Sequence, residues 1–239
     1  MIEKPKVEVC FTPNMFPLYA EDFEVVVVID VLRATSAICT AFHYGVDKII
    51  PVSTLDQAIE YKDKGFHVAA ERKGKIVSGF EFGNSPLSYT NDKLKDQTLV
   101  LTTTNGTKAI NMAKDIKQLL IGSFLNLDAI CNYLIELNKS VLILGSGWEN
   151  KFCLEDSICA GAISEQLLKT NKFESNNDST IAAKYLFLSA KSNYFGYLKA
   201  SSHRKRLKKL NLNEDIKYCL TPNQTDVIPV REDYYLKKL

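Results

Sequence analysis

Glu24-Val-Val-Val-Val-Ile29, followed directly by Asp30-Val-Leu-Arg-Ala-Thr-Ser36, is the stretch whose reading decides the fold. A strand with one wet face alternates apolar and polar residues, because successive side chains point to opposite sides. Four consecutive valines and an isoleucine show no such alternation. Both faces of this strand are therefore expected to be covered, the usual condition of a strand inside a parallel sheet. The chain turns polar immediately after it. Asp30 ends the strand, and Thr35 and Ser36 open a helical pattern.

The same alternation of strand and helix extends outward on both sides. Residues 6–11 read as a strand upstream. Downstream come a helix at 35–44, a strand at 48–52, a helix capped by Ser53 or Thr54 and stopped by Gly65, and a short strand at 67–70. Strands at 98–102, 118–122 and 140–144 follow. Helices start near Thr107, at Asn126 or Asp128, and at Glu155. This order predicts an α/β fold, a three-layer α/β/α arrangement on a largely parallel sheet. Residues 171–179 read as a polar surface loop. The chain from about 175 reads as mainly helical, with Val227-Ile-Pro-Val230 as a last extended segment. Residues 1–239 are read as one unit, two intimately packed α/β subdomains being the other division.

Composition narrows the function classes. The 239 residues are 46% hydrophobic and 24% charged, with a net charge of +2. No field strong enough to imply nucleic-acid or membrane binding follows. The six cysteines form no Cys-x-x-Cys pair and read as small buried hydrophobes. The opening Met1-Ile-Glu-Lys-Pro-Lys6 lacks a signal-type apolar core, and no apolar run reaches the roughly 18 residues needed to span a bilayer. A cytoplasmic protein with reduced thiols is the expectation. A homodimer is the base-rate expectation for its assembly.

In an open α/β sheet, ligands bind at the carboxyl ends of strands, beside helix N-termini. Three strand-to-helix junctions carry unusual polar residues. At the first, Asp30 can hold Mg2+ or act as a nucleophile, Arg33 presents a planar fork for an oxyanion, and Thr35 and Ser36 open a helix where anions are favoured. The alternative is that Asp30 and Thr35 merely cap the turn. The second is Thr102-Thr-Thr-Asn-Gly-Thr107, where Thr103, Thr104, Asn105 and Thr107 make a dense hydrogen-bonding loop. Gly106 there lets the backbone approach an oxyanion. A capped helix preceded by a threonine-rich strand is the plainer account. The third, Gly145-Ser-Gly-Trp148, contains Ser146 and leads to Glu155-Asp156, a pair suited either to the helix dipole or to a metal that bridges to phosphate.

Two further patches, Ala70-Glu-Arg-Lys-Gly74 and Phe80-Glu-Phe-Gly-Asn-Ser-Pro86, supply Glu71, Arg72, Asn84 and Ser85. Each also reads as a plain surface loop. His43, His67 and His203 are scattered, and the basic run from His203 to Lys209 reads as a solvated helix face rather than an RNA site. Leu32 stands where an Asp-x-Asp phosphatase has its second aspartate. No Cys-x5-Arg, phosphate-binding P-loop or Gly-x-Ser-x-Gly elbow is present.

Together these segments resemble the 2-phosphosulfolactate phosphatase family. The resemblance lies in Asp30-Val-Leu-Arg-Ala-Thr-Ser36, Glu71-Arg-Lys-Gly74, Gly79-Phe-Glu-Phe-Gly-Asn-Ser-Pro86, Thr102-Thr-Thr-Asn-Gly-Thr107, and Glu155-Asp156 with Ala160-Gly161. Ser202-His203 and Glu214-Asp215-Ile216 look similar as well. Ala70 departs from a common glycine and Glu81 from a common aspartate. The resemblance implies a Mg2+-dependent phosphatase with an α/β/α architecture, hydrolysing (R)-2-phospho-3-sulfolactate in coenzyme M biosynthesis. On that basis Asp30 with Glu155 or Asp156 is expected to hold Mg2+, and Arg33 and Arg72 to grip the small anionic substrate. The Thr102–Thr107 loop and the helix start at Thr35 would stabilise the phosphoryl charge, with Asp30 or Glu71 orienting water. A phosphatase for another small phosphorylated hydroxy acid and a non-catalytic anion-binding protein are the rival readings. The four retained carboxylates count against the second.

Overall fold

The structure is a computed structural model that describes residues 3–239. Met1 and Ile2, part of the opening segment read above, lie outside them. The strands are β1 (Val7–Cys10), β2 (Val25–Ile29), β3 (Lys48–Pro51), β4 (His67–Arg72), β5 (Lys75–Ile76), β6 (Thr98–Thr102), β7 (Gln118–Gly122), β8 (Val141–Gly145), β9 (Pro229–Glu232) and β10 (Tyr235–Lys238). The helices are α1 (Ala34–His43), α2 (Leu55–Asp63), α3 (Gly106–Met112), α4 (Leu127–Leu137), α5 (Leu154–Lys169), α6 (Asp178–Ala190), α7 (Tyr194–Tyr197), α8 (Ser202–Lys209) and α9 (Asn213–Cys219). No helix among the described residues is long and apolar enough to cross a membrane.

All ten strands join one sheet in the order β1-β8-β2-β7-β9-β10-β3-β6-β4-β5. The valine strand β2 lies parallel between β7 and β8. Its five residues are buried, Val25, Val27 and Ile29 toward one face and Val26 and Val28 toward the other. The absence of alternation thus has the cause expected of it. On one face α4 and α5 cover the sheet, with α6 laid over α5 and β1; on the other lie α1 and α3. Helix α2 closes a smaller cluster over β3, β4 and β6. It starts at Thr54, which accepts from the Gln57 amide while the Gln57 side chain accepts from the Thr54 amide. Each otherwise unpaired donor finds a partner in this capping box.

The C-terminus departs from expectation. The last extended segment is a hairpin, β9 and β10, and it forms the seam of the sheet rather than a closing strand. Strand β9 pairs antiparallel with β7, and β10 pairs antiparallel with β3. Three antiparallel steps separate β7 from β3, so the parallel group β1-β8-β2-β7 and the parallel group β3-β6-β4 run in opposite directions. Strand twist of roughly 20–25° per step turns the second group through an angle on the order of 110° between β2 and β6. The carboxyl ends of the two groups are thereby brought toward one another.

Register fixes what meets there. Ile29 is aligned with Gly122 and Gly145, so Asp30 and Ser146 leave the sheet side by side. The Ser146 amide donates to the Ile29 carbonyl at 2.8 Å. In the other group Ala70 is aligned with Thr102, which sets Glu71 beside Thr103.

Candidate active site

Where the two groups of strands converge, a cleft of about 150 Å³ is lined by Asp30, Arg33, Glu71, Asn84, Asn105 and His203, among others. Asp30 lies at its floor and is 8% exposed. Its Oδ1 accepts from the Ala34 amide at 3.3 Å, its carbonyl from the Thr35 amide at 2.9 Å, and its own amide donates to Thr35 Oγ1 at 3.1 Å. The other carboxylate oxygen, Oδ2, has no hydrogen-bond partner among the described residues. Gly106 packs against it. A Cβ built on that glycine would come within 2.8 Å of Oδ2 and 2.5 Å of the Ala34 Cβ, so only a residue without a side chain fits.

Asp30, Glu155 and Asp156 form a cluster of buried carboxylates beside a single imidazole, His203. Burial pushes the Asp30 carboxyl up to about 6, with the charges of Glu71 and Glu155 adding to it and those of His203 opposing. Burial, with Asp30 and Glu155 as neighbours, holds Asp156 well above the ordinary carboxylate range. Burial would raise Glu155 too, but the His203 hydrogen bond and charge, with the Cys153 thiol, outweigh it and hold Glu155 low. Glu155 Oε1 meets His203 Nδ1 at 2.5 Å and Cys153 Sγ at 2.8 Å. Its Oε2 is buried without a partner among the described residues. Asp156 has no oxygen to spare. Oδ1 accepts from the Val31 amide at 2.9 Å and Oδ2 from the Gly147 amide at 3.2 Å, so this side chain clips together the turns that follow β2 and β8.

The other expected residues divide between cleft and scaffold. Arg33 reaches the cleft wall, and three of its five guanidinium donors are engaged within the chain. Nη1 donates to Asp215 at 2.7 Å, and Nη2 donates to the Gly74 carbonyl at 2.9 Å and Asn84 Oδ1 at 2.8 Å. Glu71 accepts from the amides of Gly74 at 2.5 Å and Thr104 at 3.1 Å and from the Thr104 hydroxyl, and so ties the β4–β5 turn to the threonine loop. Arg72 turns away to the Glu71 carbonyl and Thr102 Oγ1 and does not line the cleft. Thr103 and Thr107 exchange amide-to-hydroxyl bonds, each 3.1 Å long, that close the turn into α3. Ser36 donates to the Val31 carbonyl at 2.8 Å. Asn105 lines the cleft and accepts from the Glu149 amide at 3.1 Å. Ser85 precedes a short 3-10 turn in a neighbouring depression with Arg33 and Asn84. Ser146 Oγ is buried near Asp30 and unpartnered.

His203, Trp148, Arg206, Cys153 and Asp215 were not assigned to the site from the sequence. His203 lies on α8, whose N-cap Ser201 accepts from the Arg204 amide at 3.1 Å. The basic run is a solvated face only in part: Lys205, Lys208 and Lys209 are exposed, whereas His203 and Arg204 are buried. His203, Arg206, Leu207 and Leu210 recur at i, i+3, i+4 and i+7, and all four line the cleft. That periodicity, counted with the leucines included, was the available signal. For Asp215 and Cys153 no comparable signal exists. His43 lies elsewhere, within 3.0 Å of Thr225 Oγ1, and His67 is on β4.

Among the described residues, the group of three whose ligand atoms lie close enough together to share a metal is Cys153, Glu155 and His203, within 4.8 Å of one another, and Asp30 stands beside it. Asp30 Oδ2 and Glu155 Oε2 are oxygen donors without partners, set where carboxylates crowd and one imidazole offsets them.

Comparison with known proteins adds to this geometry. A family model described as 2-phosphosulpholactate phosphatase matches residues 10–234. A protein of Caldanaerobacter subterraneus subsp. tengcongensis named "Probable 2-phosphosulfolactate phosphatase" is 39% identical over 208 residues, 85% of this chain and 86% of that one. One of the same name from Clostridium novyi is 40% identical over 207 residues, 85% and 87% of the two chains. Another from Nostoc punctiforme is 36% identical over 231 residues, 93% and 94%.

Proposed function

The chain belongs to the 2-phosphosulpholactate phosphatase family, and on that premise we propose that it hydrolyses (R)-2-phospho-3-sulfolactate to 3-sulfolactate and phosphate in the Asp30 cleft, with Mg2+. Its reaction class is that of the family, hydrolysis of a phosphoric monoester. The observation that carries the reading is the buried carboxylate cluster of Asp30, Glu155 and Asp156, in which Asp30 Oδ2 and Glu155 Oε2, like the hydroxyl of Ser146, have no hydrogen-bond partner among the described residues.

Asp30 and Glu155 would hold the cation, which when bound offsets the charge of the phosphoryl oxygens. Asp156 acts by holding the turns after β2 and β8 at a fixed separation. Glu71 holds the β4–β5 turn against Thr104 and keeps that wall rigid. Gly106 leaves the backbone free to approach an oxyanion next to Asp30. Glu155 fixes the His203 ring through Nδ1, which leaves Nε2 as the ring nitrogen toward the cleft. In hydrolysis the phosphorus–oxygen bond to the 2-hydroxyl oxygen breaks, the oxygen of a water bonds to phosphorus, the departing oxygen takes a proton from an acid, and one proton of that water restores the acid. His203 Nε2 is placed to give that proton.

A phosphate-release assay tests the reading. Phosphosulfolactate is compared with a panel of phosphorylated hydroxy acids and simple phosphate monoesters, each with Mg2+ and with chelator. Preferential, chelator-sensitive release from phosphosulfolactate is expected. Background release from every compound under both conditions would overturn the proposal.

A further inference from the structure

We infer that Arg206 and Lys73 form a second anion subsite in the cleft, which holds a non-reacting sulfonate or carboxylate of the substrate and selects phosphorylated acids carrying a further negative charge. This deepens the phosphatase reading and rests on it. Arg33, the side chain expected to bind such a group, is held by Asp215, Gly74 and Asn84. The cleft needs another cation for a polyanionic ligand, and Arg206 has the required properties.

The Arg206 guanidinium lies 3.9 Å from the centre of the Trp148 ring and borders the cleft. Its Nε and Nη2 are buried and have no hydrogen-bond partner. Among the described residues no carboxylate lies within ion-pair distance of it, although Glu149 also borders the cleft. Guanidinium nitrogens sealed from water are costly unless something accepts from them, although the side chain as a whole is only half-buried. Stacking on an aromatic face fixes the plane of the fork and leaves its edge for a bidentate oxyanion. Among the described residues no acceptor reaches these two nitrogens. Arg206 therefore points to an acceptor that the chain itself does not provide.

Lys73, an exposed residue, borders the same cleft. It occupies the β4–β5 turn with φ +54°, next to Gly74 with φ +82°. Helix α8 packs directly on this turn, since a Cβ at Gly74 would meet Leu210 Cδ1 at 2.8 Å and Leu207 Cδ2 at 3.4 Å. The turn conformation and the glycine set α8 and Lys73 on the same cleft, which thus has a carboxylate floor at Asp30 and two free cations at its wall. A substrate whose phosphoryl group faces the floor and whose second anion faces the wall matches both.

Trp148 is the single tryptophan of the chain and lies against both Arg206 and His203, so its fluorescence reports on this end of the cleft. The wild type and Arg206→Met, which retains an unbranched stem on the indole, are titrated with 3-sulfolactate. The wild type should show a saturable change, and the variant should bind about 10- to 100-fold more weakly, the loss expected for charge-assisted hydrogen bonds. In turnover, the ratio of kcat/KM for phosphosulfolactate to that for phenyl phosphate should fall by a similar factor. Lys73→Asn, at a turn position where asparagine tolerates positive φ, should lower the same ratio without touching the core. Unchanged sulfolactate affinity in both variants, or equal losses on both substrates, would overturn the subsite. Sulfolactate binding that depends on Arg206, with no phosphate release from any ester, would uphold the subsite and overturn the catalytic reading alone.

Discussion

Replacing Asp30 with asparagine should make the metal-free protein more stable while removing most of its activity. In the folded chain the Asp30 carboxyl titrates at about 6 rather than at its ordinary 3.8, mainly because it is buried. Between these values the folded state binds more protons than the unfolded state, so stability falls as pH rises through that window, and the full penalty is present above about 6. At about 1.4 kcal/mol per unit, the penalty is about 3 kcal/mol. Asparagine presents a carbonyl oxygen where Oδ1 accepts from the Ala34 amide, and it carries no charge. With chelator at about pH 8, Asp30→Asn should therefore gain up to about 3 kcal/mol, roughly 6–12 °C in Tm for a chain of this size. At about pH 4 the gain should nearly vanish. Phosphate release should fall at least about 100-fold. Thermal melts at the two pH values and a phosphate-release assay measure the three quantities. A variant less stable than wild type at the higher pH, or one with near-normal turnover, would refute the reasoning.

Other outcomes follow from the same geometry. His203→Asn should lower kcat by about 100- to 10,000-fold, with a smaller effect on KM, in steady-state assays. Stabilisation by Mg2+, read as a rise in Tm, should shrink as pH falls through about 6, because the proton then competes with the cation for Asp30. Asp215→Ala leaves the Arg33 guanidinium buried and unpaired, and should cost about 3–5 kcal/mol in chemical denaturation. Deleting the β9–β10 hairpin, residues 229–238, leaves β7 and β3 as unpaired edges on either side of the seam, and circular dichroism should show loss of cooperative unfolding.

What the sequence disclosed has physical limits. β2 was legible because burial on both faces writes itself into five consecutive residues. Asp30 stood out because a carboxylate directly ends an all-apolar strand, whereas Glu155 and Asp156 at a helix start also suited the helix dipole. The use of each carboxylate was not legible. Asp156 spends both oxygens on backbone amides, one of them 125 residues away. Arg33 looked like an anion fork, and its partner Asp215, 182 residues later in the chain, could not be read from the local sequence. The hairpin seam is set by single-residue pairings between distant segments, Leu120 with Val230 and Ile49 with Leu236, and short strands bearing Arg231, Glu232, Lys237 and Lys238 do not look like the middle of a sheet. The basic residues of α8 obscured a stripe that carries His203 and Arg206 into the cleft.

The claim that supports the rest is that the free oxygens of Asp30 and Glu155 hold a divalent cation. An anomalous difference map from crystals soaked in Mn2+, a substitute for Mg2+ with a usable signal, tests it directly. A peak coordinated by Asp30 Oδ2 and Glu155 Oε2, absent from the same map of Asp30→Asn, is the predicted result. A fully active protein whose only peak lies away from both carboxylates would contradict it.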